Sequence, residues 1–307
     1  MTIVAQWNSV TKRYRGVTAV EDVSLGLEAG QVTALVGHNG AGKTTLVKLL
    51  LGLIRPTTGS VQISGVDPAG SRGAEARRTI GFLPESVAFH GAMTGRELMA
   101  FHARLKGESC RDNAALLERV GIAHAANRRV ATYSKGMRQR LGIAQALIGA
   151  PRLLLFDEPT SGLDPASRSD VYRTIDALRA GGATVLVSTH ALAEVQDRVD
   201  RAAIMHRGRL LAAGTLAELR RGAAAEARIR VRLRPSATGQ VLAGLPDGVR
   251  CAERGDASLT LEVAAAAKMP ALRALAQAGE LVEDVETAAP GLQELYDRLV
   301  GAAGEPA

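Results

Sequence analysis

The sequence predicts an α/β fold: a largely parallel sheet, a mostly helical insertion, and a small α+β domain after it. Three observations predict it. Short, almost wholly apolar runs occur at 31–36 (QVTALV), 153–156 and 183–187, as expected of strands buried on both faces. Each run sits between segments of helical period, which parallel strands need for their crossovers. Beyond Leu219 the pattern changes to short strands and helices in the order βαββαβ.

Taken in order, the chain opens with a strand pattern in which Ile3, Ala5 and Trp7 alternate with polar neighbours, and Val20, Val23, Leu25 and Leu27 repeat it. The run 31–36 ends at a Gly-rich turn, and helical spacing follows over 44–53. From Pro84 to Gly149 the period is helical, broken by Gly91, Gly107 and Gly121. The expected domains are therefore a core of 1–219 with a helical subdomain at about 85–149, a linker at 220–225 (RRGAAA), and a second domain at 226–307. In the second domain, strand 227–233, helix 238–245, strands near 249 and at 259–263, helix 270–278 and strand 281–285 suggest a ferredoxin-like arrangement. A last helix, 292–300, follows.

The net charge of +7 raises nucleic acid as a partner. The arginines are scattered in pairs, however, such as Arg77-Arg78, Arg128-Arg129 and Arg220-Arg221, and aromatics make up only 3% of the chain. With few rings on which bases could stack, the charge reads as an Arg-rich surface, and no nucleic-acid partner is expected. Cys110 and Cys251 lack CxxC spacing and read as free thiols in a reducing compartment. The histidines form no ligand pair at helical spacing. There is no apolar run of ~18 residues and no charged-then-apolar leader. The expectation is a cytoplasmic chain whose membrane role comes through a partner.

The chemistry begins at residues 37–44, GHNGAGKT, which fit G-x-x-x-x-G-K-[ST] after a buried strand and before a helix. Glycines at 37, 40 and 42 let backbone amides turn toward phosphate oxygens at a helix N-terminus. The phosphate-binding set is Gly37, His38, Asn39, Gly40, Ala41, Gly42, Lys43, Thr44 and Thr45, with Lys43 on the β/γ-phosphates and the Thr44 hydroxyl on Mg²⁺. His38 is read as pointing away from the nucleotide. The run 153–158 (LLLFDE) ends a buried strand on two carboxylates, which are costly to desolvate unless a cation or water chemistry uses them. Asp157 suits the Mg²⁺ shell, and Glu158 suits polarisation of an attacking water.

Residues 133–140 (YSKGMRQR) precede that strand, and 161–164 (SGLD) and 188–190 (STH) follow it. Together with the P-loop they resemble, in order and over 2–219, the ABC (ATP-binding cassette) family: signature, D-loop and switch histidine. The resemblance implies a P-loop ABC ATPase cassette with a RecA-like core, binding ATP and Mg²⁺. It makes Glu158, His190 and Lys43 catalytic and places Ser134, Gly136 and Asp164 on nucleotide. Tyr14 becomes the aromatic that stacks on adenine; Trp7 is read as packing and is the runner-up for that role. Two motifs depart from the family pattern. Tyr133, Lys135 and Met137 stand where Leu, Gly and Gln are commonest, and Glu85 takes the place of the usual Q-loop glutamine, as a further Mg²⁺ ligand. Both variants look familiar from ABC-2-type exporters. One P-loop and one signature per chain imply a homodimer that sandwiches two ATP and drives an integral membrane permease from the cytoplasmic face of the inner membrane. The insertion is too short for a coiled-coil repair ATPase, and soluble ABC factors usually carry two cassettes. A finer resemblance, 82–97 running on to 103–107, points to NosF-type ATPases of nitrous oxide reductase copper-centre maturation, whose partners would include a periplasmic solenoid protein. A multidrug or generic exporter is the alternative.

Overall fold

Two twelve-residue strands, β1 (Ile3–Tyr14) and β2 (Val17–Glu28), pair antiparallel at the start of the chain. The computed structural model describes residues 2–223 and 226–304. Next come β3 (Val32–Val36), α1 (Lys43–Leu50) and β4 (Thr58–Ile63). β4 joins β1 in a separate three-stranded sheet, β2-β1-β4. The helical subdomain is entered through α2 (Gly73–Arg78) and β5 (Ile80–Leu83), and holds α3 (Gly95–Lys106), α4 (Asn113–Arg119) and α5 (Lys135–Ala146). The chain returns as β6 (Leu153–Asp157), α6 (Pro165–Ala180), β7 (Val185–Thr189), α7 (Leu192–Val195), β8 (Arg201–His206) and β9 (Arg209–Gly214).

The main sheet runs β5-β6-β7-β3-β8-β9 and is parallel except for β9. Every residue of β3, β6 and β7 is buried. Successive side chains of a strand point to opposite faces, so β6 serves two cores. Leu153 and Leu155 pack with β1, β2 and α1, whereas Leu154 and Phe156 pack with α3, α5 and α6. That double burial is why these strands carry no polar alternation.

The helical reading of 84–149 needs correction at its start. Residues 84–94 form no helix, because α3 begins only at a capping box in which Thr94 and Glu97 bond reciprocally. α1 likewise stops at Leu50, before Gly52 at φ +65°. β4, β5, β8 and β9 carry too short or too mixed a pattern to be read from sequence.

The chain divides between Thr215 and Leu216, four residues before the expected boundary. Residues 220–222 of the expected linker end a helix, α8 (Leu216–Gly222), whose Leu219 is buried; Ala224 and Ala225 lie outside the described residues. The second unit continues with β10 (Ala227–Leu233), α9 (Thr238–Ala243), β11 (Val249–Arg254), β12 (Ser258–Val263), α10 (Lys268–Gln277), β13 (Val282–Ala288) and α11 (Leu292–Ala302). Its antiparallel sheet runs β11-β12-β10-β13. Each βαβ pair is split by a strand of the other, the ferredoxin-like arrangement. Ile229, Val231, Leu233, Leu259, Leu261 and Val263 form a core of its own with α9 and α10.

Candidate active site

The loop between β3 and α1 is shaped by glycine. Gly42 has φ +102°, and a Cβ there would come within 2.7 Å of the Ala19 carbonyl, so only glycine fits. Opposite it, the Gly208 amide donates to the Ala41 carbonyl at 3.1 Å, which ties the β8–β9 turn to the loop. The resulting cleft, about 420 Å³, is lined by Val17, Thr18 and Ala19, by 38–45, and by Glu85, Glu158, Ser161 and His190. Gly37 underlies it at the end of β3. His38 is among the lining residues, and its backbone carbonyl faces Lys43.

Lys43 is buried, and its ammonium donates to the Gly37 carbonyl at 2.5 Å and to His38 at 3.4 Å. It also lies 3.4 Å from Glu158 Oε1. The other oxygen, Oε2, meets His190 Nδ1 at 2.9 Å. Glu158 is therefore a buried carboxylate between a cation and an imidazole. Its backbone is unusual, with φ +46°, a region that costs a non-glycine residue of order 1 kcal/mol or more and recurs at functional sites. Ser188 holds it there: the Glu158 amide donates to the Ser188 carbonyl and hydroxyl, both at 3.1 Å. The Ser188 hydroxyl in turn donates to Asp157 Oδ1. Ser188 thus holds the Asp157 carboxylate and the Glu158 backbone, a role no motif spacing announces.

Not every expected site residue meets in this cleft. Asp157 is buried behind it on Ser188. Trp7 is 1% exposed and donates to the Leu46 carbonyl at 3.3 Å, which makes it core and removes it as the runner-up for adenine. Tyr14 lies outside the lining, at the turn where it pairs with Val17; it is exposed, with the Lys12 ammonium 5.1 Å over its ring.

The signature residues are also elsewhere. Ser134 caps α5 by accepting from the Met137 amide at 3.2 Å. A Cβ on Gly136 would collide with Ser167 Oγ, so glycine there lets α6 pack on the signature helix. Asp164 caps α6, accepting from the Ser167 amide at 2.9 Å and hydroxyl at 2.7 Å. The Ser167 amide, then its hydroxyl, hold the Asp164 carboxyl below its usual range. Within one chain, signature and P-loop do not share a cleft.

Among the described residues no three His, Cys, Asp or Glu converge as a protein-only metal site. The residues do fit Mg²⁺, a hard ion that takes one or two protein oxygens and completes its shell with phosphates and water. Thr44 and Glu85 supply oxygen in the cleft, and Asp157 lies behind it.

Comparison with known proteins finds relatives of this chain. A family profile described as ABC transporter matches residues 20–161. A daunorubicin resistance ATP-binding protein, DrrA3 of Streptomyces coeruleorubidus, is 37% identical over 94% of this chain and 93% of its own. The bacitracin transport ATP-binding protein BcrA of Bacillus licheniformis is 37% identical over 69% of each chain. A solved structure described as the ATP binding subunit of an ABC transporter superposes with a TM-score of 0.65 at 32% identity, covering 72% of this chain and 93% of that one.

Proposed function

The chain belongs to the ABC transporter family, whose ATP-binding ATPase subunits work as dimers with membrane permease partners, and from that premise we propose that it is the motor of an ABC-2-type exporter. The observation that carries the reading is the pairing of Lys43, Glu158 and His190 in one cleft while Ser134 and Gly136 stand outside it. A second copy supplies the missing signature.

In that sandwich Lys43 and the amides of 38–45 bind the β/γ-phosphates, and Thr44, Asp157 and Glu85 hold Mg²⁺. Glu158 accepts a proton from the attacking water, oriented by His190. Ser134, Gly136 and Asp164 of the opposite copy close the site, and Tyr14 offers an exposed ring to adenine. ATP closes the dimer, and phosphate release reopens it, a ligand-driven switch whose work goes to the permease. Among the described residues no helix is long and apolar enough to cross a membrane, and the chain acts from the cytoplasmic face. Exposed Phe101 and Leu105 on α3 offer an apolar patch for permease docking.

The resistance and transport ATPases among its relatives support a drug-type cargo. The copper-centre reading, with its periplasmic solenoid partner, has only the resemblance of 82–107 in its favour. Affinity capture from detergent extract tests both. A permease of the resistance type supports the exporter, and a nitrous oxide reductase maturation permease overturns it. ATP-independent capture of ribosomes in place of any membrane protein overturns the transporter reading itself.

Glu85→Gln tests the departure at the Q-loop position. Either side chain offers an oxygen to Mg²⁺ or water, so basal ATPase stays within roughly fourfold of the unsubstituted chain. Complete loss of turnover in a phosphate-release assay means the charge itself is required.

The second unit holds none of the nucleotide motifs and has a private core, so its place is regulatory or in dimer and partner contact. Truncation after Thr215 leaves a folded cassette that binds ATP with near-normal affinity, while its association with a second copy or the permease weakens. An insoluble or nucleotide-blind fragment overturns that assignment.

A further inference from the structure

His190 is a half-exposed side chain, 54% accessible, yet it must hold Glu158 at 2.9 Å. The segment after it is α7, four residues long, too short to be stable alone. Its support comes from α6. Glu194 accepts from Arg168 Nη1 at 2.5 Å on one oxygen and from the Tyr172 hydroxyl at 3.2 Å on the other. Two further pairs, Asp176–Arg198 and Arg179–Asp200, repeat the link along α6, and the Arg198 guanidinium lies 5.0 Å over the Tyr172 ring.

Tyr172 is the junction of this clamp. Its hydroxyl also lies 3.5 Å from Thr160 Oγ1, two residues beyond Glu158. One phenol therefore touches the segment leaving β6 after Glu158 and the segment leaving β7 after His190. Burial pushes its pKa up to about 12, so it remains a donor across the neutral range. The same side chains line a groove of about 1160 Å³, larger than the nucleotide cleft. Arg168, Arg179 and Arg198 already hold carboxylates there, so the groove reads as a brace between two segments and not as an anion site.

We propose that Tyr172 and Glu194 are positioning residues that set the Glu158–His190 distance through the segments on either side of them. The proposal rests on the functional reading above, in which that pair organises hydrolysis. Losing the tether lets the imidazole drift without altering the phosphate cradle. It therefore lowers the rate of the chemical step and leaves nucleotide affinity alone, since small misplacements of a reacting group are costly.

The test is a double-mutant cycle on the purified full chain, read by single-turnover hydrolysis and by ATP binding. Tyr172→Phe removes only the hydroxyl, and Glu194→Gln keeps an acceptor for it while removing the charge that Arg168 holds. Each lowers the single-turnover rate by about tenfold with Kd for ATP within about twofold. In a His190→Ala background the same changes alter the residual rate by less than about twofold, because coupled residues are non-additive. Equal losses in both backgrounds, or a weakened Kd with an unchanged rate, overturn the proposal. A His190→Ala chain that hydrolyses ATP at the unsubstituted rate overturns the functional reading and the proposal with it.

Discussion

Glu158→Gln slows ATP hydrolysis by about 10²–10⁴-fold, the worth of a positioned general base. That is roughly 3–5 kcal/mol of barrier. The amide keeps the size of the side chain and can still accept from a His190 N–H, so the cleft stays folded and binds ATP. What it loses is the basicity needed to take a proton from water. Because ATP then persists, the closed dimer accumulates, and light scattering with ATP reports twice the mass found without it. Normal turnover removes Glu158 as the base. A monomer that stays open with bound ATP contradicts the sandwich.

Lys43→Ala removes productive ATP binding. Truncating one partner of a buried, hydrogen-bonded charge pair costs about 2–5 kcal/mol, or roughly 30- to several-thousand-fold in Kd. The structure adds a second consequence. Lys43 is the cation beside Glu158, and their side chains are 7% and 10% exposed, so the substitution strands a buried carboxylate. The free chain therefore melts at a lower temperature as well. Adding Glu158→Gln to Lys43→Ala restores the melting temperature without restoring nucleotide binding, which separates the two effects. A Lys43→Ala chain that hydrolyses ATP at the normal rate overturns the P-loop assignment.

The βαββαβ order beyond Leu219 was readable because alternation at Ile229, Val231 and Leu233 reports one buried face directly. The division of the chain was less so. Helix α8 begins at Leu216, and residues 216–219 (LAEL) carry no composition shift to mark a boundary there, since the shift comes only at Arg220.

In the cassette, sequence alone determined the phosphate loop, the paired carboxylates and the order of the family motifs. Each of these is a local requirement: glycine where the backbone must bend, an ammonium for phosphate, acids at the end of a buried strand. One P-loop and one signature in the chain, read with the family resemblance, also raised the expectation that a second copy completes each site. Tertiary structure alone decided that Gly136 makes room for Ser167 and that Asp164 caps α6. It alone revealed the links made by Ser188 and Tyr172, hydrogen bonds between residues 22 to 31 apart in sequence. The reason is physical. A motif records what one stretch of backbone must do, whereas a hydrogen bond between β6, α6 and the segment beyond β7 exists only once parallel strands bring distant residues side by side.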